Sequence, residues 1–419
     1  MNEKKKRILE LTHEIGRLVL ELQRSAPHNR CEEAASEVDD FNYYLSRIEY
    51  AIGKAFKYAD HPSRSNVSKP IAYSGGLELI KNDTRTCSIQ GIGWCTDTDL
   101  IIPSTSPEGK PITGIEPSAF SNCTRLTTII VPDSVNDIQY RAFSNCTNLK
   151  NIALPNNSFI DIEASAFEGC SSLTSVILPD NIGRIKFGLF QGCTNLSSVK
   201  MPNTLMGIGD YSFSDCSSLT NIEIPNSVTL IGQYAFSGCT NLTSITIPDS
   251  VQYISSNAFD GCSNLKNIII GNGVSEIGLE AFQCCSGLTS VTIGNGVKNI
   301  EEKAFFLCKN LSNIVLPDSV ENIGSLAFSY CSSLASIALP DSITSIGSAF
   351  MGCTNLTDII IPSGVIRIGE ACFSGCKNLT SITFKGSTSQ WRELFQNITW
   401  PWDIPATEVI CSDGTVSLH

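Results

Sequence analysis

The 419-residue sequence predicts a solenoid, in which short strands and turns coil around one long hydrophobic core. A phenylalanine recurs twelve times at steps of 23 residues, apart from one step of 24 and one of 22. A cysteine follows each phenylalanine after three residues, and a leucine follows after six. A unit of this length cannot bury its apolar face alone, so we expect the units to stack as coils. The repeated phenylalanines are Phe120, Phe143, Phe167, Phe190, Phe213, Phe236, Phe259, Phe282, Phe305, Phe328, Phe350 and Phe373.

One unit, "AFSGCTNLTSITIPDSVQYISSN" at 235–257, shows the elements in order. Alternating side chains predict a short strand that points Ile245 and Ile247 into the core and Ser244 and Thr246 outward. Pro248 then starts a turn, because its ring fixes φ. The segment "VQYI" predicts a second, shorter extended piece. A single helical or 3₁₀ turn follows and places the next phenylalanine inside.

The repeated pattern L-x-x-I-x-I-P…V-x-x-I-G-x-x-A-F-x-x-C-x-x-L resembles the BspA-like leucine-rich repeat family over about residues 76–419. The resemblance implies a leucine-rich-repeat solenoid, with a parallel β-sheet on one face and short strands, turns or 3₁₀ segments opposite. It also implies a protein used mainly for binding proteins or surfaces, and members are often exported or displayed on cells.

The ends of the pattern predict caps around an array at 120–384. Residues 76–119 are expected to form an N-terminal cap and the first coil, with a strand hairpin about "KNDT". Residues 385–419 are expected to form a C-terminal cap, with a short helix at "TSQWRELF" and a hairpin at Asp413-Gly414. Large aromatic side chains would cover the end coils. All four tryptophans fall in these caps: Trp94, Trp391, Trp400 and Trp402.

Residues 1–58 have a different pattern, with apolar side chains at helical steps of three and four. Two such stretches, 8–22 and 38–52, predict an antiparallel helical hairpin, and a polar linker follows at 59–75. The hairpin can pack on itself, self-associate, or dock on the solenoid, and the sequence does not choose among these.

Composition and charge exclude several classes of function. The net charge is −12 and no basic stripe is present, which argues against nucleic-acid binding. No apolar run is long enough to span a membrane. The N-terminus "MNEKKKRILELTHEIGRLVLELQ" is too charged for a secretion signal, so on sequence evidence we expect a cytoplasmic chain, although the resembled family is often secreted or on the cell surface.

The eighteen cysteines are either reactive groups or structural ones. Zinc sites need ligand pairs two to four residues apart, and the twelve repeated cysteines are 22 to 24 residues apart. A small, weakly polar group in a tight inward turn explains all twelve. We therefore expect a structural ladder of free thiols, with no metal and no cofactor.

Histidine is too scarce for the usual nucleophilic chemistry. The four histidines are His13, His28, His61 and His419, so the array at 120–384 has none. A Ser-His-Asp or Cys-His centre is therefore not expected, and the sequence favours a protein that is not an enzyme.

The outward residues of the predicted strands form the candidate binding face. Small hydroxyl, amide and aliphatic side chains there offer broad contact at little cost in conformational entropy, although Trp, Tyr and Arg are missing. We predict a non-catalytic binding solenoid that contacts a protein or glycan surface. The alternative is a structural or assembly protein, in which the hairpin oligomerises and the array is a spacer. The candidate binding residues are Lys200, Glu223, Ser244, Thr246, Asn267, Ile269, Ser290, Thr292, Asn313 and Val315.

Overall fold

The computed structural model describes residues 71–72, 76–93, 95–157, 159–395 and 403–418. The chain divides into two units, Met1–Lys69 and Pro70–His419, and every described residue lies in the second. The predicted helical hairpin at 1–58 and most of the linker lie outside the described residues.

The described unit is a β-solenoid, and we number its coils 1–12 by their repeated phenylalanines, from Phe120 to Phe373. One side carries short parallel strands that pair from coil to coil, and we name it the long-strand face. It consists of four separate sheets, because the strands of coils 3 and 4 do not pair, 221–224 in coil 6 form no strand, and coil 11 contributes only an isolated bridge between Ala338 and Ile360. The strands of this face are β4 (Asp99–Ile101), β6 (Thr128–Ile130), β8 (Asn151–Ala153), β10 (Ser175–Ile177), β12 (Ser198–Lys200), β15 (Ser244–Ile247), β17 (Asn267–Ile270), β19 (Ser290–Thr292), β21 (Asn313–Val315), β24 (Asp358–Ile361) and β26 (Ser381–Phe384).

The opposite side carries the second extended piece of each coil, as predicted. These pieces pair in parallel in two sheets, and the larger has nine strands without interruption. The strands are β5 (Ile112–Ile115), β7 (Asp137–Ile138), β9 (Asp161–Ile162), β11 (Arg184–Ile185), β13 (Gly207–Ile208), β14 (Leu230–Ile231), β16 (Tyr253–Ile254), β18 (Glu276–Ile277), β20 (Asn299–Ile300), β22 (Asn322–Ile323), β23 (Ser345–Ile346) and β25 (Arg367–Ile368).

The core is one continuous stack. All twelve repeated phenylalanines are fully buried, and neighbouring rings stack with centroids 5.1 to 6.0 Å apart, as between Phe120 and Phe143 or Phe350 and Phe373. Each ring therefore packs on the rings of the coils before and after it, which is the inward placement that the sequence predicts.

The turn that carries each phenylalanine is not a continuous 3₁₀ helix. In coil 7, Asn257 and Gly261 take left-handed φ values of 56° and 70°, on either side of Phe259. These residues interrupt the helical φ values, and separate i→i+3 bonds such as Cys262 N–H to Phe259 C=O close the turn. The left-handed conformation two residues after the phenylalanine recurs in all twelve coils. The residues there are Asn122, Asn145, Gly169, Gly192, Asp215, Gly238, Gly261, Cys284, Leu307, Tyr330, Gly352 and Gly375.

The N-terminal cap corrects one predicted boundary. Strand β1 (Ile71–Ala72) lies in the segment expected to be linker, and pairs antiparallel with β2 (Glu78–Lys81). Strand β2 pairs antiparallel with β3 (Cys87–Gly91), which confirms the predicted hairpin. Strand pairing at the sheet edge thus moves the start of the solenoid to about residue 70.

The C-terminal cap has the predicted elements. Helix α1 (Thr388–Leu394) begins with a capping box between Ser387 and Gln390, and buries Trp391 completely. Strands β27 (Glu408–Cys411) and β28 (Gly414–Ser417) form the predicted hairpin, and β27 pairs with β26. Trp94, Trp400 and Trp402 lie outside the described residues.

Candidate binding face

Eight of the ten predicted binding residues lie on one four-stranded parallel sheet, β15-β17-β19-β21. Side chains alternate along each strand, so residues such as Ile245 and Ile268 enter the core and their neighbours point outward. The eight form two rows across the strands. The first row is Ser244, Asn267, Ser290 and Asn313, and the second row is Thr246, Ile269, Thr292 and Val315.

The remaining two predicted residues extend the second row toward the N-terminus. Lys200 ends β12, opposite Ile177 of β10. Glu223 is 23 residues later, in the segment of coil 6 that forms no strand. Both side chains are exposed, as are the eight on the sheet except Ser290, which is half-buried. The alternation of side chains along the sequence correctly predicted that all ten residues are at the surface. The structure places only eight of them on the same sheet.

The aliphatic members of the face are conspicuously open to solvent. Ile269 is 50% exposed and Val315 is 68% exposed. Both side chains point away from the core, so core packing does not require a β-branched residue at either position. The face therefore combines exposed apolar groups with hydroxyls and amides, the composition that suits contact with a broad surface.

Polar groups on the face contact each other across the strands. The Ser290 hydroxyl donates a hydrogen bond to Oδ1 of Asn267, at 2.8 Å. Beside this pair a groove runs between β19 and β21, lined by Ser290, Thr292, Asn313 and Val315 together with Asn295 and Pro317. The last two residues belong to the turns that follow the strands, and sequence reasoning missed them. The available signal was the Gly-Asn-Gly of 271–273 and 294–296, which replaces the usual proline turn in coils 8 and 9.

The repeated cysteines form a buried ladder behind this face. Eleven of the twelve thiols donate to the main-chain carbonyl of the phenylalanine in the preceding coil, with S···O distances of 3.0 to 3.2 Å. All seventeen described cysteines are free of disulfide bonds. The exception in the ladder is Cys123, half-buried in the first coil, where no earlier repeat precedes it.

Burial makes these thiols poor nucleophiles. Desolvation raises the pKa of Cys193 to about 12, and raises the pKa of Cys285 far above its ordinary value. Within the described part of the chain, no three His, Cys, Asp or Glu side chains converge in a way that would hold a metal ion. The thiols thus act in the fold as small hydrogen-bonding core groups.

The solenoid resembles known repeat proteins in sequence and in structure. Residues 98–205, 183–311 and 275–399 match the model of the BspA type leucine rich repeat region, with six copies. A leucine-rich repeat protein from Bacteroides ovatus is 30% identical with a TM-score of 0.57, over 81% of this chain and 99% of that one. A leucine rich cell surface protein from Faecalibacterium prausnitzii is 32% identical with a TM-score of 0.50, over 78% and 98%. The pneumococcal vaccine antigen PcpA, 20% identical with a TM-score of 0.53 over 82% and 99%, shares the fold. No curated protein matches the chain.

The described residues also bear on membrane insertion. None of their helices is both long enough and apolar enough to cross a bilayer.

Proposed function

The chain belongs to the BspA-type leucine-rich repeat family, and on that premise we propose that it is a non-catalytic binding solenoid whose long-strand face contacts a protein or glycan surface. One observation carries the proposal. The two rows present hydroxyl, amide and aliphatic side chains in register over four adjacent strands, with no charged group between 244 and 315 in either row. A surface of this kind supports broad, weak contact, because short side chains lose little entropy when they are immobilised.

The side-chain chemistry of the described residues supports a non-enzymatic role. Histidine does not occur in the described stretches of the chain, and eleven of the twelve ladder thiols are buried. The F. prausnitzii relative is described as a cell surface protein, and this supports an adhesin-like form of the proposal. We expect micromolar affinity for a single face, since aromatic and arginine anchors are missing from the two rows.

A triple substitution tests the face. Thr246→Lys, Ile269→Lys and Thr292→Lys place three charges on adjacent strands of the second row. We expect binding to an immobilised glycan array, or to intact cells of a candidate host, to be lost while the melting temperature stays within a degree or two. The matched control carries Thr229→Lys, Gln252→Lys and Thr344→Lys, which are exposed positions beside the short strands of the opposite side. The control should keep full binding at the same net charge.

The same experiment separates the alternative function. If residues 1–58 oligomerise and the array is a spacer, deletion of 1–58 removes binding and the triple substitution on the face does not. That result would refute the proposed face. Loss of binding in the triple variant alone would refute the spacer.

A further inference from the structure

The second row extends along the whole long-strand face, and only two of its members are charged. Strand register joins most of the row directly, for example Ile101 to Ile130 and Ile360 to Thr383. Lys200 and Glu223 are the charged pair, with opposite signs, in the neighbouring coils 5 and 6. The full row is Ile101, Ile130, Ala153, Ile177, Lys200, Glu223, Thr246, Ile269, Thr292, Val315, Ala338, Ile360, Thr383 and Ile410.

Lys200 and Glu223 have no oppositely charged partner among the described residues. Lys200 and Glu223 are exposed, and neither forms an ion pair with any described residue. The backbone of coil 6 is also open here, since no backbone hydrogen bond joins 221–224 to a described neighbour. An unpaired lysine and glutamate on an otherwise uncharged row are therefore available to a partner with the opposite arrangement of charges.

A second copy of this chain has that arrangement. A twofold axis parallel to the strands, passing between coils 5 and 6, lays the long-strand face on itself with the coil order reversed and each row facing itself. Lys200 then faces Glu223 of the second copy, and Glu223 faces Lys200 of the second copy. Two reciprocal ion pairs result, because adjacent opposite charges are self-complementary under such an axis.

The rest of the face agrees with this register. Ile177 faces Thr246 of the second copy, Ala153 faces Ile269, Ile130 faces Thr292, and Ile101 faces Val315. Each pair sets an isoleucine against a smaller residue, and in two of the four pairs both residues are apolar. In the first row Asp99 faces Asn313, and the other paired members of that row are uncharged, so neither row brings like charges together.

The structure assigns the long-strand face a specific occupant: a second copy of the chain, bound antiparallel through reciprocal Lys200–Glu223 pairs. This inference rests on the proposed function, because both place binding on the same face. Ten coils at a spacing of ~4.8 Å, with a face three residues wide at ~3.3 Å each, give about 500 Å² per partner. About 1,000 Å² in total is the lower end for a specific complex, so the dimer is weak and reversible.

Like charges meet at both rims and limit the affinity. On one rim the exposed Asp180 and Asp249 oppose each other, since each lies three residues after its member of the second row. The exposed Lys150 and Lys266 precede β8 and β17, and the proposed register sets them opposite each other at the edge of the interface. Lys266→Glu converts both symmetry-related lysine contacts into attractive ones. We expect the dissociation constant to fall by about two- to tenfold, the range given by rim ion pairs.

A charge-swap cycle in the full chain tests the register. Sedimentation velocity from micromolar to near-millimolar concentration should show a monomer–dimer equilibrium for the parent. Lys200→Glu alone and Glu223→Lys alone should remain monomeric, since each places like charges across the axis. The double variant should recover the dimer, because the reversed pair is again self-complementary. An equimolar mixture of the two single variants should form a heterodimer.

Two controls keep the test decisive. Melting curves of the four proteins should coincide, because neither side chain has a partner in the described fold. Raised salt should weaken the parent dimer, since the pairs lie at an accessible surface.

Three results would overturn the register: dimers in the single variants, a monomeric double variant, or an unchanged dissociation constant in Lys266→Glu. If the chain associates through residues 1–58, the dissociation constant of the dimer should be the same in the parent and in all of these variants. A parent that binds a glycan array or host cells but stays monomeric would overturn the inference and leave the proposed function standing.

Discussion

The thiol of Cys285 donates a hydrogen bond to the main-chain carbonyl oxygen of Phe259, 3.2 Å away in the preceding coil. The neighbouring Cys284 is half-buried and left-handed, with φ 58°, and its thiol makes no such bond. Two cysteines adjacent in sequence therefore have separate roles, one in the ladder of the core and one at its surface.

This vicinal pair provides a matched test of the ladder. Cys285→Ala removes the thiol bond to the Phe259 carbonyl, which keeps the Cys262 N–H as a donor, so we expect a loss of about 0.5–1.5 kcal/mol in the free energy of unfolding. Cys284→Ala keeps the left-handed backbone and removes a half-buried side chain, so its loss should stay below about 1 kcal/mol. Urea denaturation under reducing conditions measures both. Equal losses would show that the thiol–carbonyl bond contributes nothing.

The ladder also predicts a steep alkaline limit of stability. Burial raises the pKa of Cys285, Cys308 and other ladder thiols above the value of about 9 that they have when unfolded. A group whose pKa is raised on folding contributes its full stability below its unfolded pKa, and loses it as the pH rises above that value. At pH 10 each such thiol should cost the fold about 1.4 kcal/mol.

Comparison of the parent with Cys285→Ala distinguishes the titration of the ladder thiol from the titration of lysine and tyrosine in the same pH range. Between pH 8 and pH 10 the free energy of unfolding of Cys285→Ala should fall by about 1.4 kcal/mol less than that of the parent. Denaturant titrations at the two pH values give both slopes. A parallel decline in parent and variant would contradict the assignment.

Phe259 stacks on two rings, and Phe120 stacks on one. The Phe259 ring centroid lies 5.1 Å from that of Phe236 and 5.2 Å from that of Phe282, whereas Phe120 has only Phe143 in the stack. Phe259→Ala should lower the free energy of unfolding by about 3–5 kcal/mol, as a large-to-small core change. Phe120→Ala should cost less, because its ring stacks on one phenylalanine and not on two. A melting temperature within a degree or two of the parent for Phe259→Ala would contradict its inward role.

Substitution of Ser212 should increase the stability of the fold. It is fully buried, its hydroxyl has no hydrogen-bond partner, and nine of the twelve coils carry alanine at this position. Ser212→Ala should raise the free energy of unfolding by about 1–2 kcal/mol, since it removes an unsatisfied polar group. Ser329 is the control: it is equally buried, but its hydroxyl donates to the Ser348 carbonyl at 3.1 Å. Ser329→Ala should be destabilising, and the opposite signs are the test.

Substitution of Gly261 tests the effect of backbone conformation without the effect of steric crowding. Its φ is +70°, and a Cβ there would have no atom nearer than 3.8 Å. Gly183 offers the same space, with Met206 Cε at 3.8 Å, but without a left-handed φ. Gly261→Ala should therefore cost about 1 kcal/mol, and Gly183→Ala should be neutral or slightly stabilising. The melting temperatures of the two variants should differ by about one to two degrees, and coincident curves would contradict the conformational argument.

Much of this molecule follows from its sequence alone. The period of the repeat places Phe259, Cys262 and Leu265 inside and Thr246 outside, because alternation along a strand and the inability of one coil to bury its own face are local constraints. The family resemblance is confirmed by the same repeated pattern. The predicted cap hairpins and helix α1 also formed, since their turn and capping residues act over only a few positions.

The tertiary structure decided what depends on contacts between coils. The partner of each buried thiol is a carbonyl about 26 residues earlier, and coil stacking alone brings them together. The repeat pattern predicts a strand at 221–224 as in the other coils, and only the stacked coils show the break of the long-strand face at Glu223 and the groove beside Asn295. Left-handed Leu307 and Tyr330 occupy positions that local preference would assign to glycine or asparagine. The N–H groups of Leu307 and Tyr330 donate to the carbonyls of Ser329 and Met351 in the next coil, and an isolated coil has no such acceptors.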